Sequence, residues 1–145
     1  MKIKAKWLLR IAALIMFFHG IGNTFGVLTF QNPNGGLPNE VVQKMKEVHF
    51  AFMGRDDSSM ADFYLGFGFM GSVFILFIAV LLWVLSSQKE KYVSKILCVT
   101  GMALVLLTIV EAIFFFPMAV AFCLVSVVLV FVSIFLMYRV ENVKK

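Results

Sequence analysis

Ionisable side chains inside long apolar runs mark where this sequence can do chemistry. There are three: His19 in "FFHGIGNTFG", Asp62 in "MADFYLGFGF" and Glu111 in "TIVEAIFFFP". Asn23 and Thr24 add un-ionised polarity beside His19. Such residues are costly in hydrocarbon, and each is a functional-site candidate by default. A histidine and a carboxyl group brought together can hydrogen-bond a ligand, exchange protons with a substrate, or clasp two helices. Asp62 has a simpler reading as well, because a carboxylate at the start of a helix caps its free N–H groups and complements its positive end.

The elements that must position these residues are membrane spans. The chain has 145 residues, of which 61% are hydrophobic and 14% charged. A soluble domain is roughly half apolar and about a quarter charged. Four runs are long enough to cross about 30 Å of hydrocarbon, which takes about 20 helical residues. They cover about 7–28, 62–85, 96–116 and 118–138. The expected fold is therefore all-α: a single membrane domain over 1–145, built as a four-transmembrane-helix bundle. The first run is longer than the roughly 7–15-residue core of a signal peptide and no A-x-A-like site follows it, so it is expected to stay as a span.

The long loop, about 29–61, holds the turn-rich "QNPNGGLPNE" followed by "NEVVQKMKEVHFAFMG". Val41, Val42, Met45, Val48 and Phe52 recur at helical spacing, with Asn39 placed to cap. This predicts a short amphipathic helix lying on the membrane or over the bundle mouth. Glu40, Glu47, Asp56 and Asp57 read as solvated loop charges, and His49 as an exposed polar residue. Ten lysines and arginines fall in the two ends and the short middle loop, against three in the long loop. The positive-inside rule then puts both termini in the cytoplasm and the long loop outside, as in a bacterial inner-membrane protein. Pro117 suits the first turn of the last span, so "FFFPM" should reverse the chain and make the last two spans antiparallel neighbours.

Depth follows from a rise of about 1.5 Å per residue. His19 stands nine residues beyond Arg10, roughly 14 Å in and near the midplane. Glu111 is roughly 24 Å along the span that opens near Lys95, in the outer half. His19 and Asn23 share a face, as do Asp62 and Gly66; Thr100, Leu104, Thr108 and Glu111 line one stripe. Gly22-x-x-x-Gly26 and Gly68-x-x-x-Ser72 are small-residue patterns suited to close helix packing. Cys98 and Cys123 read as small core residues.

Two stretches carry a resemblance. "LRIAALIMFFHGIGNTFG" resembles a first span with H-x-x-G-x-T-x-G, matched by His19, Gly22, Thr24 and Gly26. "ADFYLGFGF" resembles a second span opening D-F-Y-x-G-F-G, matched by Asp62, Phe63, Tyr64, Gly66, Phe67 and Gly68. Both are similar to signatures of a family of short bacterial four-helix integral membrane proteins without an assigned activity. The resemblance implies the four-helix membrane fold and no particular reaction. A second histidine often stands in that family where this chain has Asn23, a poor metal ligand, so no metal and no cofactor are expected.

The reading that follows is a binding protein for a small apolar or lipid-like ligand. Its polar site would comprise His19, Asn23, Asp62, Tyr64, Thr108 and Glu111, with Phe17, Phe25, Phe67 and Phe69 as walls. Two alternatives stay open: an acid–base enzyme acting on a lipid, and a structural or accessory subunit whose polar groups hold helices together. The sequence does not decide whether any residue is catalytic. The expected partners are the lipid bilayer and the ligand, with an oligomer left open. Nothing points to nucleic acid, since the basic residues sit at helix ends and there is no phosphate-binding loop. Haem is disfavoured because the only other histidine, His49, lies in the loop. Four spans also give too little wall for a channel unless the chain oligomerises.

Overall fold

A computed structural model of the chain describes residues 3–30, 38–51, 57–88 and 90–141. The fold is all-α, with five helices among the described residues: α1 (Ile3–Leu28), α2 (Asn39–Glu47), α3 (Met60–Leu85), α4 (Glu90–Phe114) and α5 (Pro117–Glu141). Four are long and apolar enough to cross a membrane, over Lys4–Leu28, Met60–Leu85, Val93–Phe114 and Pro117–Tyr138. Their 22 to 26 residues reach about 33–39 Å at the helical rise, more than the hydrocarbon thickness of about 30 Å. Large apolar side chains point outward all along them, among them Phe18, Phe25, Phe77, Phe114 and Phe135. That exterior is stable in lipid and not in water, so the chain is a multi-pass membrane protein.

Contacts divide the chain into two compact units, residues 1–19 with 75–145, and residues 20–74. The first unit has one core, and each helix feeds it from a single stripe. Ala5, Leu9, Ala12 and Met16 come from α1; Ile75, Ile78, Leu82 and Leu85 from α3; Val93, Leu97 and Leu104 from α4; Cys123, Val130, Ile134 and Met137 from α5. The spacing of three and four residues keeps each set on one face. The intervening residues are just as apolar and face outward. Small residues bring α4 and α5 close: a methyl group on Gly101 would stand 3.2 Å from the Phe131 ring. Buried hydroxyls in the seam satisfy themselves. Thr100, Ser126 and Ser133 donate to the carbonyls of Ile96, Phe122 and Leu129 on their own helices. At the other end of this unit the Arg10 guanidinium lies over the rings of Trp7 and Trp83, 5.6 and 5.0 Å from their centroids, with Ser86 Oγ 3.4 Å from Nε.

The α4–α5 turn takes its shape from Pro117. The expected spans ran to Phe116 and resumed at Met118. Instead α4 stops at Phe114, and Pro117 itself is the first residue of α5. Proline fits there because a first-turn residue has no intrahelical acceptor for an N–H in any case.

In the second unit, α2 is shorter than the sequence pattern predicts. Pro38, not Asn39, holds the N-cap position with φ −51° and ψ 136°, and its carbonyl accepts from Val41 and Val42 N–H at 2.9 and 3.2 Å. The proline ring fixes φ, and this extended ψ turns the chain into the helix. The helix ends at Glu47, and Val48 is extended. The next residues pair with the chain leading into α3: Met60 N–H donates to Val48 O, Phe50 N–H donates to Ser58 O, and His49 bridges Ser59. Strand-like pairing therefore removes Val48 from the predicted apolar stripe. Of the rest, Val42 is buried, Val41 is exposed, and Phe52 lies outside the described residues.

Candidate functional site

His19, Glu111 and Cys123 each extend the buried stripe of their own helix. His19 follows Leu9, Ala12 and Met16 on α1; Glu111 follows Leu97, Thr100 and Leu104 on α4; Cys123 opens the stripe of Ser126, Val130 and Ser133 on α5. Helical periodicity alone thus delivers three chemically able side chains to one core. His19 Nε2 lies 2.7 Å from Glu111 Oε1, with the two side chains 6% and 5% exposed. At that length a proton sits between them. Either Nε2–H donates to a carboxylate, or a carboxylic O–H donates to Nε2. The Phe122 ring lies beside the imidazole, its centroid 5.7 Å away.

Among the described residues the second carboxyl oxygen, Glu111 Oε2, is buried without a hydrogen-bond partner of good geometry, and the Cys123 thiol interacts with the same carboxyl group. Buried polar atoms are almost always paired, and an unpaired one calls for a specific explanation. One ligand atom each from His19, Glu111 and Cys123 lie within 4.8 Å of one another, and all three residues are buried. A carboxyl oxygen of Glu111 therefore belongs to a compact group of nitrogen, oxygen and sulfur donors.

Chain reversal at Pro117 explains why Cys123 joins the pair. Glu111 lies in the last turn of α4 and Cys123 in the second turn of α5, equally far in sequence from Pro117. Antiparallel helices that meet at a tight turn bring such symmetric positions to one level. The symmetry about Pro117 was present in the sequence. A lone cysteine in an apolar run drew the core reading because its neighbours on other helices are not visible there.

The other candidates have different engagements. Asn23 Nδ2 donates to Gly68 O at 3.2 Å and Ser72 Oγ at 2.9 Å, and Ser72 Oγ donates to Gly68 O at 3.1 Å. This ties α1 to α3 within the second unit. Asp62 forms a capping box with Ser59: Asp62 N–H donates to Ser59 Oγ at 3.2 Å, and Ser59 N–H to Asp62 Oδ2 at 3.1 Å. The signal for it, Ser-x-x-Asp before an apolar run, is in the sequence. Tyr64 is exposed and its ring lies 5.0 Å from that of Phe30. Thr108 Oγ1 donates to Leu104 O at 2.7 Å and so spends its proton on its own helix. Thr24 does the same with Gly20 O. Phe17, Phe25, Phe67 and Phe69 are exposed and do not serve as the walls expected of them, because their positions fall off the buried stripes. Of the expected set, His19 and Glu111 are the two that share a hydrogen bond. Comparison with protein-family models, with curated proteins and with solved structures returns no match.

Proposed function

We propose that this chain is a bacterial inner-membrane protein, with both termini cytoplasmic, that binds a small lipid-like molecule at the His19–Glu111 pair. One observation carries the binding reading: inside an apolar core, Glu111 Oε2 is an acceptor that no described residue meets with a hydrogen bond of good geometry. A buried acceptor without a donor costs about 1–3 kcal/mol, more if charged. A ligand with one donor group on an apolar body would remove that cost. The histidine holds the first oxygen and so aims the second. The positive-inside excess of ten basic residues against three supports the orientation.

The 2.7 Å bond by itself also suits a clasp between α1 and α4. The two readings separate on a donor-only amphiphile. Decylamine should raise the thermal midpoint of the detergent-purified protein. It should do so far less in Glu111→Gln, which keeps the bond to His19 but offers no carboxylate. Equal shifts in both proteins would reduce the pair to a structural clasp.

A further inference from the structure

We infer that His19, Glu111 and Cys123 form a three-ligand site for a divalent transition-metal ion of zinc's class. This rests on reading the open Glu111 oxygen as part of a ligand site, and it names the ligand as a cation held by protein side chains.

The donor set is the first argument. Imidazole nitrogen, carboxylate oxygen and thiolate sulfur are the three protein donors that zinc takes in tetrahedral sites, at about 2.0–2.3 Å. Bonds of that length put ligand atoms about 3.3–3.8 Å apart around a tetrahedral ion. The His19–Glu111 contact of 2.7 Å and the outer limit of 4.8 Å for the group straddle that range. Shifts of about an ångström, within reach of side-chain torsions, complete the site. Each ligand comes from a different helix, α1, α4 and α5, so the ion would close the core around itself. Glu111 Oε2, buried and without a hydrogen-bond partner of good geometry among the described residues, is the group that gains most.

Charge is the second argument. A neutral imidazole, a carboxylate and a thiolate sum to two negative charges, which a divalent ion cancels. A net-neutral site is what a hydrocarbon environment requires. The protons balance as well. Before binding, the group is neutral overall, either as imidazolium, carboxylate and thiol or as imidazole, carboxylic acid and thiol. From either form, coordination of the ion releases two protons and forms three metal–ligand bonds. Three protein ligands leave a fourth position for water or an exogenous donor, as in zinc sites that act on or exchange a ligand.

Cobalt(II) tests the proposal, because it reports its own coordination. The full chain, purified in detergent and stripped with a chelator, is titrated with Co2+. The expected result is one ion per chain, with a thiolate-to-cobalt charge-transfer band and the intense visible bands of a four-coordinate ion. Zinc should displace it, since zinc binds more tightly in the divalent series. Cys123→Ala should abolish the charge-transfer band and weaken binding by at least about tenfold, whereas Cys98→Ala should leave the spectrum unchanged. A wild-type spectrum without the charge-transfer band, or a band that follows Cys98, overturns the metal site. The wild-type measurement decides even if Cys123→Ala folds poorly. If the band is missing while the decylamine shift still depends on Glu111, the metal is ruled out and the lipid-like ligand stands. If both are missing, both readings fall together.

Discussion

Glu111 is the residue on which most turns, because its two oxygens live in different circumstances. Oε1 is tied to His19, and Oε2 has no hydrogen-bond partner of good geometry among the described residues. An amide at this position can meet either tautomer of His19, accepting from Nε2–H through its oxygen or donating to Nε2 through its NH2. Glu111→Gln should therefore unfold within a few tenths of a kcal/mol of wild type. Glu111→Leu leaves His19 Nε2 buried without a partner and should cost about 1–3 kcal/mol. Equilibrium unfolding in mixed micelles reads both, and equal losses in the two variants would contradict the hydrogen bond. The two residues were legible in the sequence as candidates, since ionisable residues stand out in apolar runs, but depth arithmetic set Glu111 roughly 10 Å further outward than His19, and only the packing brings them to one level. Cys123 was legible as a buried core residue, but its nearness to His19 and Glu111 was not, because that depends on which helices meet. Asp62 was legible in one of its two readings. Its partner is local, and local chemistry needs no tertiary information.

At the scale of the element, glycines separate packed from open helix faces. A methyl group on Gly68 would run into the Val27 side chain, whereas Gly22, Gly26 and Gly66 have nothing within 4 Å of such a group. The Gly68-x-x-x-Ser72 pattern is thus used for close approach, with Asn23 bonded across it, and Gly22-x-x-x-Gly26 makes no such contact among the described residues. The two patterns look alike in sequence; only the facing residue tells them apart. Gly68→Ala should destabilise the protein by about 1–3 kcal/mol through overpacking, with Val27→Ala restoring much of it. Gly22→Ala should be neutral or stabilising by up to about 1 kcal/mol, as helix propensity dictates. Thermal unfolding of the three variants and the double mutant checks the set, and a Gly68→Ala protein as stable as wild type would remove the close approach. The start of α3 offers a second case. Ser59→Ala loses one half of the capping box and should cost about 0.5–2 kcal/mol. Faster hydrogen exchange confined to the amides of residues 61–63 is the expected signature, and unchanged exchange there would mean the box does not hold the helix end.

For the whole molecule, hydrophobic length settled the number of spans, and the four fall where the sequence places them to within a few residues at most ends. The nearly uniform apolar character that makes the spans easy to find also hides their inner faces, which is why Phe17, Phe25, Phe67 and Phe69 were expected inward and are instead exposed. Orientation rests on a separate physical quantity, the distribution of fixed positive charge. Lys4 and Lys6 precede or open the first span, Lys95 opens the third, and the exposed Lys44 and Lys46 sit on α2 in the long loop. Arg10, held between Trp7 and Trp83, gives the side of the termini an aromatic and basic belt of the kind found at membrane interfaces. Single cysteines placed at Glu47 and at Ser87, both exposed, in a background with Cys98 and Cys123 replaced by alanine, report the two sides. In intact bacterial cells a membrane-impermeant maleimide should label the cysteine at position 47 and spare the one at position 87 until the cells are lysed. Labelling at 87 in sealed cells, with protection at 47, would invert the protein and put the end of the bundle that carries Glu111 and Cys123 on the cytoplasmic side. The ligand or ion would then have to reach the site from the cytoplasm.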